Sequence, residues 1–224
     1  MLIILATART GSTWLYELLC EKPKKSILFE PFNSPEGREP FKEFLDDDRT
    51  KNRMDDPASY LDMLFDSTSG EHLACKIILE HLKAETIEKL CKGPYSFLVL
   101  KRRDRLKQYL SWYATEATGW YIVYDPANGI PPINSRIIID HARERMDWIE
   151  AKYEMAFSIL ANHNMVNFAL MYYEDFIGKP NKVRLTFNLN ARPDAVLPIK
   201  QAVDYEWVLN KGELRQRLQK YGTI

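Results

Sequence analysis

Nine residues near the start of the chain, Ala6-Thr7-Ala8-Arg9-Thr10-Gly11-Ser12-Thr13-Trp14, place a cation, a glycine and four hydroxyl side chains in one short stretch. They follow the apolar run Leu2-Ile3-Ile4-Leu5 and open an amphipathic segment. A turn between a strand end and a helix start aims several backbone N–H groups at one point, where the helix dipole also favours negative charge. The chemistry this implies is anion binding. The register matches the nucleotide-binding pattern G-x-x-x-x-G-K-[ST], but Ala6 replaces the first Gly and Ser12 stands where the Lys belongs. The cation must then be Arg9, earlier in the turn, so the ligand's charge is gripped differently from that of a nucleoside triphosphate. The plainer alternative is an ordinary strand-to-helix turn with Thr13 at the helix start.

A second concentration of chemistry lies in Ser96-Phe97-Leu98-Val99-Leu100 followed by Lys101-Arg102-Arg103-Asp104-Arg105-Leu106-Lys107-Gln108-Tyr109-Leu110-Ser111-Trp112-Tyr113. It reads as a buried strand running into a basic helix. Five cations face one Asp there, in a chain whose formal net charge is +0, so the charge is focused at one place.

The Arg-x-Gly-Ser-Thr-Trp loop after the first strand, with a later strand that ends in Arg103 and a Ser111 eight residues on, resembles the sulfotransferases. The run Leu100 to Arg105 followed by Ser111-Trp112-Tyr113 is most similar to the trehalose 2-sulfotransferase-like branch. Two further segments are similar: Cys75-Lys76-Ile77-Ile78-Leu79-Glu80-His81-Leu82, and Met171-Tyr172-Tyr173-Glu174-Asp175-Phe176. The resemblance implies a P-loop-like three-layer α/β fold and transfer of a sulfuryl group from PAPS (3′-phosphoadenosine 5′-phosphosulfate) to a hydroxyl acceptor, carbohydrates included, with release of PAP (adenosine 3′,5′-bisphosphate). It implies that Arg9, Thr10, Gly11, Ser12 and Thr13 hold the 5′-phosphosulfate and that Arg103 and Ser111 hold the 3′-phosphate. An Arg fork suits a phosphate, and a Ser one to two helical turns later can donate its hydroxyl to the same group.

For the catalytic step the resemblance implies Lys76 as the cation beside the leaving group, with Arg9. Two candidate bases would take the acceptor's proton. Glu30 closes the second expected strand, where Pro31 fixes an extended path into the next loop. His81 is the rival, with an intrinsic pKa better suited to proton transfer near neutrality. Trp14 either stacks on the adenine or packs in the core, and Trp112, Tyr113, Trp120, Tyr121 and Tyr124 either wall an acceptor pocket or belong to the core. A nucleotide kinase shares the loop register, but Ser12 lacks the ammonium and the strand 96–100 exits into cations rather than an acidic metal partner. A nucleic-acid-binding module could use the basic run with its interleaved aromatics, yet overall neutrality opposes a broad basic footprint.

These residues need a scaffold of alternating strands and helices. Strands are expected at 2–5, 26–29, 73–79, 96–100 and 166–171, and helices at 11–21, 83–91, 104–116, 136–162, 179–188 and 204–220. That alternation argues for a mainly parallel α/β sheet of about five strands. Ile139, Ala142, Met146, Ile149, Tyr153, Ala156, Phe157 and Leu160 recur at helical spacing and predict the longest helix. Residues 31–58 carry Pro31, Pro35, Pro40 and Pro57, and 119–135 carry Pro126, Pro131 and Pro132. Both segments read as loop excursions beside the site.

A length of 224 residues with 46% hydrophobic content suits a single domain over 1–224 with a substantial core. The longest apolar runs are too short for a membrane span, and Met1 leads directly into a core strand, so a soluble cytoplasmic protein without membrane or nucleic-acid partners is expected. Three cysteines, Cys20, Cys75 and Cys91, fit buried thiols rather than a disulfide framework. Neither Cys nor His shows metal-ligand spacing, so no metal is expected.

Overall fold

The computed structural model describes residues 1–19, 28–33, 47–67, 74–119, 134–163, 168–177, 179 and 205–222. At its centre β1 (Leu2–Ala6) lies between β2 (Ala74–Ile78) and β3 (Ser96–Lys101), with β4 (Phe168–Tyr172) beyond β3. All three pairings are parallel, with Ile4 opposite both Lys76 and Leu98. Each of these strands is linked to the next by helices, as parallel pairing requires. The α/β architecture expected from the alternation is therefore present.

The sheet is covered on both faces, which explains why β1 reads as unbroken apolar sequence rather than an alternation. Ile3, Leu5, Cys75, Ile77, Phe97 and Val99 face one layer, formed by α3 (Pro57–Asp66), α4 (Ala84–Leu90) and the distal half of α6 (Ile139–Asn162). Ile4, Ala6, Ala74, Leu98 and Leu100 face the other, under α1 (Ser12–Leu19) and the short α7 (Tyr173–Phe176). A third cluster joins α5 (Arg105–Thr118) to the first turns of α6 and to the C-terminal segment, through Tyr109, Leu110, Met146, Leu214 and Tyr221. Among the described residues no helix is long and apolar enough to cross a membrane.

Local signals set the element ends. Asp104 caps α5 by accepting from the Lys107 N–H at 2.9 Å, and Gly119 ends it in the left-handed conformation at φ 70°. Asp56 caps α3, with Pro57 in its first turn. That helix and the short α2 (Asp48–Lys51) occupy the described part of the first excursion and its sequel.

Four expectations are corrected. The sheet has four strands among the described residues, not about five. The segment expected as a strand at 26–29 contributes a single parallel bridge from Phe29 to Lys76, with residues 20–27 outside the described set. The chain leaves the sheet there because Glu30 turns into left-handed backbone at φ 57° and Pro31 has no N–H to continue a ladder. The tail expected as one helix over 204–220 is instead a 3₁₀ turn (Tyr205–Trp207), a bridge from Val208 to Ser135, α8 (Lys211–Arg217) and a second 3₁₀ turn (Gln219–Tyr221). Asn210 breaks it: its side chain accepts from the Ile137 N–H at 2.9 Å and donates to the Ile137 carbonyl at 3.0 Å. The long helix starts at Ile139 rather than 136 because Ser135 is held in that bridge. All but the first residue of the helix expected at 179–188, and most of the second excursion, 120–133, lie outside the described residues.

Candidate functional site

The loop between β1 and α1 is held by side chains from three other elements. Tyr153 of α6 donates to the Leu100 carbonyl at 2.7 Å, and its hydroxyl accepts from the Thr7 N–H at 3.2 Å and lies 2.9 Å from Thr7 Oγ1. Gln108 of α5 donates to Thr7 Oγ1 at 2.8 Å and to the Ala8 carbonyl at 2.7 Å. Glu80, in the 3₁₀ turn Leu79–His81 after β2, accepts from the Ala8 N–H at 2.8 Å. Thr10 closes the turn by donating to the Thr7 carbonyl at 2.8 Å. Within this frame Arg9 and Gly11 both adopt left-handed backbone, at φ 64° and 81°. For Arg9 that conformation costs about 1–2 kcal/mol. Gly11 is required twice over, because a Cβ there would lie 2.3 Å from the Tyr173 ring.

The Arg9 side chain crosses to α5, where its Nε donates to Ser111 Oγ at 3.0 Å. The two halves of the expected anion site, the loop and the basic helix, therefore meet. Burial holds the Arg9 pKa below its ordinary value, and the neighbouring Arg102 lowers it further. Ser12 is buried at the start of α1, and the N–H groups of that first turn have no acceptor within the helix.

Lys76 lies in the middle of β2, 2% exposed, on the face toward α1. Its Nζ donates to Thr13 Oγ1 at 2.9 Å and to Glu30 Oε1 at 2.5 Å, and sits 4.1 Å from the centre of the Phe29 ring. Burial lowers the Lys76 pKa, outweighing the opposing attraction of Glu30. Glu30 is presented by the bridge through Phe29: its N–H donates to the Lys76 carbonyl at 2.9 Å. Cation, carboxylate and Thr13 hydroxyl thus come together at the N-terminus of α1.

The two arginines after β3 diverge. Arg102 turns inward, 13% exposed, 4.8 Å over the Tyr173 ring, with Nη1 donating to the Arg9 carbonyl at 3.3 Å. Its Nε is buried without a hydrogen-bond partner among the described residues, Glu174 lying 3.8 Å away. Arg103 turns outward, 51% exposed, and is engaged by Asp175 through two bonds of 2.7 and 2.8 Å, over the Tyr172 ring. Glu174 accepts from the N–H groups of Arg103 and Asp104. The Tyr-Glu-Asp-Phe segment therefore pins the β3–α5 connection.

Other candidates are placed as follows. Trp14 is 8% exposed and stacks on Phe176 at 5.5 Å, as a core side chain. His81 ends the 3₁₀ turn, while the residue before it, Glu80, reaches the loop. Tyr113 stacks on Trp207, and Trp112 lies against Tyr109 and Arg145. Trp120, Tyr121 and Tyr124 lie outside the described residues. The charges of the basic run are largely matched within the fold: Lys101 and Arg105 bond Glu150, and Lys107 lies 3.2 Å from Asp104. The sequence reading missed Arg102, Gln108, Glu80 and Tyr153. Gln108 could have been found, since it lies one helical turn before Ser111 on the same face of α5.

No protein-family model and no curated protein sequence matches the chain. Among solved structures, a sulfotransferase domain from the curacin biosynthetic pathway is similar over 86% of this chain and 75% of its own, with 17% identity and a TM-score of 0.49. A sulfotransferase from Alicyclobacillus acidocaldarius is similar over 98% of this chain and 93% of its own, with 13% identity and a TM-score of 0.47. Likeness at these values assigns no activity, and the residues of the site carry the functional argument.

Proposed function

We propose that the chain transfers a sulfuryl group from PAPS to a hydroxyl acceptor and releases PAP. The observation that carries this reading is Lys76, a buried ammonium joined to both the Thr13 hydroxyl and the Glu30 carboxylate at the start of α1. A buried lysine on a core strand is costly unless it is paired, and this pair sits where an anion-binding loop hands over to a helix. A cation and a proton acceptor side by side are what in-line transfer from a phosphate to a hydroxyl needs.

PAPS would supply the sulfuryl group, with the phosphate oxygen as leaving group. Glu30 would accept the acceptor's proton as the acceptor oxygen bonds to sulfur. Lys76, with Arg9 and the N–H groups at Thr10 to Thr13, would stabilise the negative charge left on the phosphate as the sulfur–oxygen bond breaks. Arg102 and Ser111 would hold the 3′-phosphate. The residues fit such an anion: burial and the neighbouring Arg102 both disfavour the charge on Arg9, and the buried Arg102 Nε lacks a hydrogen-bond partner among the described residues. The similarity of residues 100–113 to the trehalose 2-sulfotransferase-like branch supports a carbohydrate acceptor, and the matched charges of the basic run support a site without nucleic acid.

An acceptor screen with sulfur-labelled PAPS tests this. Label is expected to move to a hydroxyl compound, carbohydrates among the panel, in the presence of a metal chelator. Failure to consume PAPS with every acceptor, combined with magnesium-dependent ATP turnover, would overturn it in favour of a kinase.

A further inference from the structure

We infer that Glu80 and Gln108 are positioning residues that hold the Ala8 backbone from both sides of its peptide chemistry and thereby keep Arg9 preset in its left-handed conformation. The inference about loop geometry stands on the structure alone; its consequence for nucleotide affinity rests on the function proposed above.

Ala8 has no polar side chain, yet both of its backbone polar groups are taken by long-range side chains. Its N–H donates to Glu80 Oε1 at 2.8 Å, and its carbonyl accepts from Gln108 Nε2 at 2.7 Å. The two grips come from different layers of the fold, Glu80 from the turn after β2 and Gln108 from α5. Gln108 is fully buried. It lies three residues before Ser111, so one face of α5 holds the backbone of residue 8 and the guanidinium of residue 9. Glu80 is itself steadied by Arg145, whose Nη2 lies 3.7 Å from Oε1 and whose guanidinium sits 4.7 Å and 4.2 Å from the Trp112 and Trp148 rings.

The arrangement is not what a side chain adopts for its own sake. Glu80 Oε2 and Gln108 Oε1 are both buried without a hydrogen-bond partner among the described residues, a state that buried polar atoms rarely occupy. The fold buries these two oxygens at the loop, and the same side chains fix the residue immediately before a strained arginine. A loop held in this way presents Arg9 to an anion before the anion arrives, which lowers the ordering cost of binding.

Amide hydrogen exchange in the nucleotide-free protein tests the clamp independently of any ligand. Glu80→Ala and Gln108→Ala are expected to raise exchange at Ala8 to Thr13 by about tenfold or more, the loss of a buried hydrogen bond, while the β1 and β3 amides keep their protection. Glu80→Gln retains a carbonyl oxygen for the Ala8 N–H and is expected to stay near the native rates. Gln108→Met keeps the length but removes the donor, and should behave as Gln108→Ala even if the truncation itself folds poorly. PAP affinity should fall by about tenfold in the variants that loosen the loop and stay unchanged in Glu80→Gln. Uniform acceleration across sheet and loop, or loop exchange indifferent to both truncations, would overturn the clamp. A clamp response in a native protein that does not bind PAP would leave this inference standing and remove the nucleotide reading.

Discussion

Glu30→Gln is expected to lower turnover by about 10²–10⁴-fold while leaving PAP affinity within a fewfold of native, because it keeps the shape at Lys76 and removes only the proton acceptor. The same substitution strips a buried ammonium of its carboxylate, which gives a second signature in stability. Burial already lowers the Lys76 pKa against the pull of Glu30. A base whose folded pKa lies below its unfolded one costs stability wherever the unfolded chain holds the extra proton, so stability rises as pH is raised toward the ordinary lysine value. Without the Glu30 charge the folded pKa drops further and this rise starts at lower pH. Urea unfolding across pH should therefore show a steeper climb above neutrality in Glu30→Gln than in the native protein. Adding Lys76→Met removes both charges together and should flatten the profile without restoring turnover. Near-native turnover in Glu30→Gln, with activity lost in His81→Asn, would move the base to His81.

Arg102→Ala is expected to weaken PAP binding by about 1.5–3 kcal/mol, the range for a charge-assisted hydrogen bond, and to weaken adenosine 5′-monophosphate binding much less. Arg103→Ala should change the two affinities little. The difference follows from the geometry: Arg102 is turned inward onto the Arg9 carbonyl and the Tyr173 ring, whereas the Arg103 fork is already engaged by Asp175 at the surface. Calorimetric titration of both variants with both nucleotides reads the effect directly. Loss of discrimination in Arg103→Ala with none in Arg102→Ala would return the 3′-phosphate to Arg103, with Asp175 as an exchangeable partner.

The central sheet and the composition of the loop after β1 were legible for a shared reason: strands buried on both faces are unbroken apolar runs, and the loop's glycine, four hydroxyls and arginine sit within seven residues. The meeting of Arg9 with Ser111 was also within reach, because each lies at a strand end of adjacent parallel strands or in the first turns beyond it. What could not be read was direction. Arg102 and Arg103 are adjacent and chemically identical, and only the strand's exit angle and the position of Asp175 decide which one faces inward. Nothing local to Lys76 shows that the bridge through Phe29 brings Glu30 across it. Glu80 and Tyr153 act on the loop from 72 and 146 residues away, so no spacing in the sequence announces them. The C-terminal helix failed for a similar reason: the pairing of Asn210 with Ile137 is a tertiary contact that overrides local helix preference.

Calorimetric titration of the native protein with PAP, in the presence of a metal chelator and beside a titration with ATP, tests the central claim most directly. PAP is expected to bind without metal and more tightly than ATP, and at about a hundred times its dissociation constant to stabilise the fold by about 2.7 kcal/mol. Absence of PAP binding under conditions where ATP binds and stabilises the protein would contradict the account.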